Sequence, residues 1–314
     1  MPDPHARPNR TIWALTPGAA GMESQAVGLA EAIGGEVTAL RVAARAPWRW
    51  LPGDLWPMPL AAAAGPDVLA PPWPDLVVTC GRHAAPLGAA IRRLTRGATR
   101  AVHVQNPRMS FAAFDVVVAP EHDGVSGPNV LTHRLALHRI SQTSLVAARA
   151  AWAPRFAQLR RPLVAVLVGA PGDGRAEHAA RLAEGLARLD AGVVVTPSRR
   201  TPPEATAALR DGLPDAWIWD GGGENPYRGM LACADAIVAT EDSVSMLSEA
   251  LAAGVPVFAA RFGLRSGRLS GFLDRLVADG ILRWFDGTLP MWDSPPRDDT
   301  PRLAAAIRRR LGWE

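Results

Sequence analysis

The chain has 314 residues, 48% hydrophobic and 20% charged, with a mean hydropathy of +0.03, which is core material for two ordinary domains and excludes a disordered chain. All 34 basic residues are arginine, so the pI of 10.2 reports the arginine pKa more than a positive field, the formal net charge being only +4. Without lysine there is no P-loop NTPase, no Schiff-base enzyme and no lysine-dependent kinase, and with Tyr227 as the only tyrosine there is no Tyr–Lys dehydrogenase pair.

In chain order, residues 1–10 are polar and proline-rich, without a signal-peptide core. Residues 11–16 read as a strand, followed by a glycine turn and a helical pattern over 24–33. Further strands are expected over 75–79, 101–105 and 115–119, with a helix over 84–94. A helix over 141–159 is expected to be interrupted by Pro154 and closed before Pro162. The alternation restarts at Leu163, with strands expected over 163–168, 193–196, 216–219, 236–240 and 256–260. This rhythm predicts an α/β chain of two Rossmann-like halves, 1–160 and 161–314, facing a cleft, with ligands beyond the carboxyl ends of the strands.

Cys80 and Cys233 stand far apart with no C-x-x-C pair, which argues against structural zinc and for a reduced chain. No apolar run reaches a membrane span, so the expected location is cytoplasmic, at most peripheral to a membrane.

The strongest constellation runs from Asp235 to Arg261. A strand ends at Thr240, Asp242 and Ser243 can cap the next helix, and Gly254 ends it. The N–H groups of Ser243, Val244 and Ser245 would then face a phosphate, and Glu249 could accept ribose hydroxyls; an ordinary capped helix gives the same local pattern. Gly169, Gly172 and Gly174 permit close backbone approach after the strand ending at Val168. Ser198, Arg199, Arg200 and Thr201 follow the next strand, and the arginine forks suit a diphosphate.

The loop from Thr16 to Gly21 is not G-x-G-x-x-G, so no dinucleotide fingerprint is present, although Gln25 can donate to a ligand. Glu121, His122 and Asp123 follow a strand and offer a base with an orienter. His103 reads as a core residue in a strand, and His138 as a structural residue in a helix-like segment. Trp48, Trp50, Trp56 and Trp73 crowd a proline-rich stretch beside Arg45 and Arg49, suggesting an apolar lip for a lipid-linked acceptor or membrane surface, or else a packed loop. The small net charge and missing motifs argue against a nucleic-acid partner.

The stretch Thr240–Ser243, Glu249–Ala250 and Gly254–Val257 resembles the nucleotide-sugar site of GT-B glycosyltransferases and of the 2-epimerases of that fold. Gly18–Gln25 with Gly28–Glu31, Gln105–Arg108, Pro120–Gly124, Ser198–Pro202, Asn225–Tyr227 and Asp242–Met246 extend the resemblance over nearly the whole chain, to bacterial relatives of the Elongated Mitochondria (mitochondrial fission) family. The resemblance implies a GT-B-like outline in which Ser243 and Ser245 hold a diphosphate and Glu249 the ribose. It places Gly18 and Gly21 near donor phosphates or acceptor, and Asn225 and Tyr227 near the base. Met22 stands where several such enzymes carry a catalytic histidine. The final helix, 302–311, would return to the first half. The function expected is a metal-independent glycosyltransferase that takes a nucleotide-sugar as substrate, with no bound cofactor. A 2-epimerase and a non-catalytic interaction protein are the rivals.

Overall fold

The computed structural model describes residues 10–65, 67, 69–170, 172, 175–263 and 267–314. Residues 1–9 and Pro171, Asp173 and Gly174 of the second glycine loop lie outside the described residues. The chain forms two compact units, one of residues up to Arg139 together with Asp299–Glu314, the other Ile140–Asp298.

The first unit holds β1 (Thr11–Thr16), α1 (Ala20–Ile33), β2 (Glu36–Arg41), the short pair β3 (Ala43–Ala44) and β4 (Ala63–Ala64), β5 (Leu76–Cys80), α2 (Ala85–Leu94), β6 (Arg100–Val104), β7 (Val116–Pro120) and β8 (Val130–His133). Six of these strands make a parallel sheet in the order β2-β1-β5-β6-β7-β8. The residues of β5 are buried throughout, the apolar run expected of a strand covered on both faces. Its edge strand β2 is largely exposed and was not anticipated from the sequence. One face packs Ala26, Leu29 and Ile33 of α1 against Ile12, Val78 and Val102. Each fully buried leucine-sized side chain there contributes about 1.5–3 kcal/mol.

The second unit comprises α3 (Gln142–Phe156), β9 (Leu163–Val168), α4 (Arg175–Ala187), β10 (Gly192–Pro197), α5 (Pro203–Gly212), β11 (Trp217–Ile218), α6 (Tyr227–Cys233), β12 (Ala236–Thr240), α7 (Val244–Leu251), β13 (Val257–Ala260), α8 (Arg268–Ala278) and β14 (Arg283–Trp284). Its parallel sheet runs β11-β10-β9-β12-β13-β14. The last helix, α9 (Thr300–Leu311), belongs to the first unit, where Leu303, Ala304 and Ile307 are buried in the same core as α1.

Three expectations are corrected. The division falls at Ile140, not near Arg160, because α3 packs within the second unit: a Cβ on Gly229 of α6 would lie 2.1 Å from the Trp152 ring. Pro154 does not interrupt α3. It sits in the last turn, where only one intrahelical bond is forfeited, while Trp152 and Phe156 are buried on either side of it. His138 is buried but not helical; its carbonyl oxygen lies where a Cβ on Gly28 would be, 2.2 Å away. Among the described residues no helix is long and apolar enough to cross a membrane.

Candidate functional site

In the second unit the strand order reverses between β9 and β12, and the carboxyl ends at such a switch point are where ligands of doubly wound sheets bind. Gly169 and Ala170 leave β9 there, and Asp242 and Ser243 leave β12. The Thr240 hydroxyl accepts the Gly169 N–H at 2.8 Å and donates to Asp242 Oδ1 at 2.6 Å. Asp242 Oδ2 accepts the Ala170 N–H at 2.8 Å and the Arg200 guanidinium at 3.2 Å. Gly169 is a requirement of this clamp, since a Cβ would sit 2.2 Å from Asp242 Oδ1.

Arg200 is held by a turn built from its own neighbours. Its N–H donates to Ser198 Oγ at 3.2 Å, and the Thr201 hydroxyl donates to the carbonyls of Val168 and Gly169 at 2.9 and 2.7 Å. The Ser198 hydroxyl is thus engaged within the turn, while Arg199 is exposed. The Arg200 side chain is 61% exposed and Asp242 only 10%, so the guanidinium meets solvent while the carboxylate is largely buried.

Ser243 caps α7, its hydroxyl accepting the Met246 N–H at 3.3 Å. Val244 and Ser245 begin the helix, where the first-turn N–H groups find no intrahelical acceptor and the dipole favours an anion. Further along, Glu249 Oε2 accepts the Tyr227 hydroxyl at 2.6 Å. Burial, reinforced by the Glu249 charge and this bond, pushes the Tyr227 phenol well above 10, so it stays a donor. Asn225 Oδ1 accepts the Tyr227 N–H at 2.9 Å, bracing the turn that leads through Pro226 into α6. Thus hydrogen bonds bring Gly169, Ser198, Arg200 and Asp242 together, Ser243 follows Asp242 at the start of α7 with Val244 and Ser245 in its first turn, and Glu249 and Tyr227 are joined to each other. The Ser198 and Thr201 hydroxyls that the sequence offers brace this turn, whereas the capture of Arg200 by Asp242 is not legible in the sequence.

Gly18, Gly21, Gln25, Glu121 and His122 lie in the first unit. The Gly18 N–H donates to Thr16 Oγ1 at 3.1 Å, its φ of +84° being one that glycine alone adopts easily. Gly21 is in the first turn of α1, and Gln25 is buried on the same helix. Glu121, His122 and Asp123 form one 3-10 turn after β7, with His122 Nε2 3.9 Å from Asp123 Oδ1. Among the described residues no three His, Cys, Asp or Glu side chains converge as a metal would require.

The tryptophan segment divides. Trp56 is buried, donating to the Leu51 carbonyl at 3.3 Å, and Trp48 and Trp73 pack on the core beside it. Only Trp50 faces outward, 66% exposed under the Arg49 guanidinium, and Leu51, Leu55 and Met58 join it. Trp48 and Trp56 are therefore removed from the expected lip. Their pairing with core leucines was not visible in a segment without periodicity.

Two parallel six-stranded sheets, each in a doubly wound order, define a two-domain α/β protein of the GT-B type. Rice Os79, crystallised with UDP, shares this fold with a TM-score of 0.53 over 96% of this chain and 91% of its own, at 10% identity. The model of the family "Mitochondrial fission ELM1" matches residues 20–311, and the chain belongs to that family. It is 33% identical over 278 residues to the mitochondrial fission protein ELM1 of Arabidopsis thaliana, covering 76% of this chain but only 65% of the plant protein. An uncharacterised protein of Rickettsia prowazekii is 23% identical over 96% of this chain and 98% of its own length.

Proposed function

We propose that the chain is a metal-independent glycosyltransferase that takes a nucleotide-sugar, with the nucleotide held in the second unit. The observation that carries this reading is the meeting of Arg200, the Ser243-capped start of α7 and Gly169 at the β9–β12 switch point. Such a place offers an anion backbone N–H groups, a helix dipole and an exposed guanidinium. Glu249 takes ribose hydroxyls, its carboxylate oriented by Tyr227. The UDP of Os79 makes UDP the first ligand to try.

In this reading Arg200 leaves Asp242 for the phosphates. As the bond from the anomeric carbon to the diphosphate oxygen breaks, the α7 N–H groups and Arg200 take up the charge developing on the leaving group. An acceptor hydroxyl forms the new glycosidic bond and gives its proton to Glu121 or His122. The exposed Trp50, Leu51, Leu55 and Met58, flanked by Arg45 and Arg49, sit against an anionic membrane surface and its lipid-linked acceptor.

A second reading, a non-catalytic interaction protein, is favoured by one feature: the Asp242 carboxylate already occupies the Ala170 N–H and the Arg200 fork. Release of UDP from UDP-sugars in the presence of bacterial lipid extract separates the two. Turnover that is abolished by Arg200→Ala supports the glycosyltransferase. UDP binding without turnover of any UDP-, GDP- or CDP-sugar supports the binding module.

A further inference from the structure

The second unit carries a cavity of about 540 Å³, a volume in the range of small-molecule sites, that shares no lining residue with the β9–β12 switch point. On one wall His178, Arg181 and Gly185 recur at i, i+3 and i+7 along one face of α4, and Arg188 follows the helix. The other wall is Ala260 and Arg261 at the end of β13, with Phe285 to Gly287 after β14. A Cβ on Gly185 would lie 3.0 Å from the Phe285 ring, and one on Gly287 3.7 Å from the Gly185 Cα, so the walls come close together at these glycines. Leu182 and Ala260, both buried, and the partly buried Phe285 give the cavity an apolar lining.

The charges of the lining are not matched. Arg188 donates to Glu184 Oε1 at 2.5 Å, and Asp286 Oδ1 accepts the Thr288 N–H and hydroxyl at 3.0 and 2.6 Å. Arg181 and Arg261, in contrast, have no carboxylate within ion-pair distance among the described residues. Each is placed by a different contact. Arg181 Nη2 donates to His178 Nδ1 at 2.8 Å, and the Arg261 guanidinium lies over the Trp284 ring, 4.1 Å from its centroid. A guanidinium has no acceptor, so His178 Nδ1 accepts and the ring proton sits on Nε2. Two unmatched arginines on open surface would be ordinary solvated groups. Here they border an apolar cavity, and a guanidinium fork fits a carboxylate or phosphate in two parallel bonds.

We propose that this cavity between α4 and the ends of β13 and β14 binds an organic anion, a phosphate or carboxylate carried on an apolar body. Arg181 and Arg261 take the anionic head, and the body covers Leu182, Ala260 and Phe285. Neither part suffices alone: the apolar lining gives no preference for charge, and the arginines alone hold an inorganic anion only as weakly as other exposed arginines do. Asp286 opposes the head and sets a limit on affinity. The site stands whether or not the switch point holds a nucleotide.

The probes are octyl phosphate and octanoate, titrated into the full chain by calorimetry below their micelle concentrations. Octyl glucoside, with the same body and no charge, and inorganic phosphate, with the charge and no body, are the controls. At least one of the two anionic probes is expected to bind at a single site, about tenfold or more tighter than either control, and saturating UDP should leave that affinity unchanged. The double variant Arg181→Gln/Arg261→Gln alters two exposed side chains, so its thermal midpoint should match wild type while affinity for the probe falls about tenfold or more. Asp286→Asn should bind the probe more tightly than wild type. The proposal is overturned if neither probe binds, if octyl glucoside or inorganic phosphate binds as well, if UDP displaces the probe, or if the double variant binds it like wild type.

Discussion

Arg200 and Asp242, 42 residues apart in sequence, meet across the second unit's switch point with Nη2 3.2 Å from Oδ2. The same carboxylate oxygen takes the Ala170 N–H at 2.8 Å, so the protein supplies its own anion where a phosphate is expected to bind. Removing that charge while keeping an acceptor should favour the ligand. Asp242→Asn is expected to bind UDP about tenfold more tightly than wild type, the scale of one repulsive charge partly screened by solvent. Titration calorimetry at low and high salt checks this, and the gain should shrink as salt rises.

Gly169 tests the same clamp sterically. A Cβ there would overlap Asp242, so Gly169→Ala should destabilise the fold by about 1–3 kcal/mol and weaken UDP binding. Gly271, on α8, has open space around its Cα. There the alanine variant should gain about 0.5–1 kcal/mol from helix propensity. Urea unfolding of the two variants should therefore show opposite signs.

Trp50 and Trp56 belong to one segment but face opposite ways. Trp50→Ser should leave the thermal midpoint unchanged and reduce flotation with vesicles containing anionic lipid. Trp56→Ser empties a packed site and should cost about 3–5 kcal/mol, on the scale of other large-to-small core changes. Equal flotation of wild type and a Trp50→Ser/Leu55→Ser double variant would return the patch to ordinary exposed surface.

His103 gives a pH dependence with a defined sign. Its ring lies in β6 with Nδ1 2.7 Å from Thr79 Oγ1, and burial lowers its pKa from 6.5 to about 3. The unfolded chain therefore binds the extra proton between these values, and stability is complete above pH 6.5 and declines as pH falls toward 3. Burial lowers His133 in the same direction. Asp115 and Asp299 add a loss at lower pH. Burial alone would raise them, but hydrogen bonds from Arg92 and the Ala101 N–H, and from the Leu135 N–H and Arg302, outweigh it. His103→Leu should flatten the slope between pH 6.5 and 4 in urea titrations, whatever it does to stability at neutral pH.

Much of this was legible in the residues. The apolar runs that became β1, β9 and β12 read with the same limits as in the structure, because parallel strands covered on both faces leave little choice of side chain. Ser243 announced its helix as an N-cap. The exposed edge strand β2 carries no such run, and it was missed. The linker helix misled because Pro154 is a breaker only in a helix interior, and here it falls in the last turn beside Trp152. At the site, residue types were legible but pairings were not. Arg200 and Glu249 each have a partner, Asp242 and Tyr227, delivered from a different strand end, and spacing in sequence does not encode which loops of a sheet become neighbours. Gln105 lies in the Gln105–Arg108 stretch that carries the resemblance, but its positive φ is a property of the folded loop alone.

The most direct test of the central claim is calorimetric titration of UDP and 2′-deoxy-UDP into wild type, Arg200→Ala and Glu249→Gln. Loss of a charge-assisted fork should weaken UDP binding about ten- to a hundredfold in Arg200→Ala, with reduced salt dependence. Wild type should prefer UDP to its 2′-deoxy form, and Glu249→Gln should lose most of that preference while keeping part of the affinity. A second unit that binds UDP equally well in all three proteins, or in none of them, would contradict the assignment of this crevice to a nucleotide.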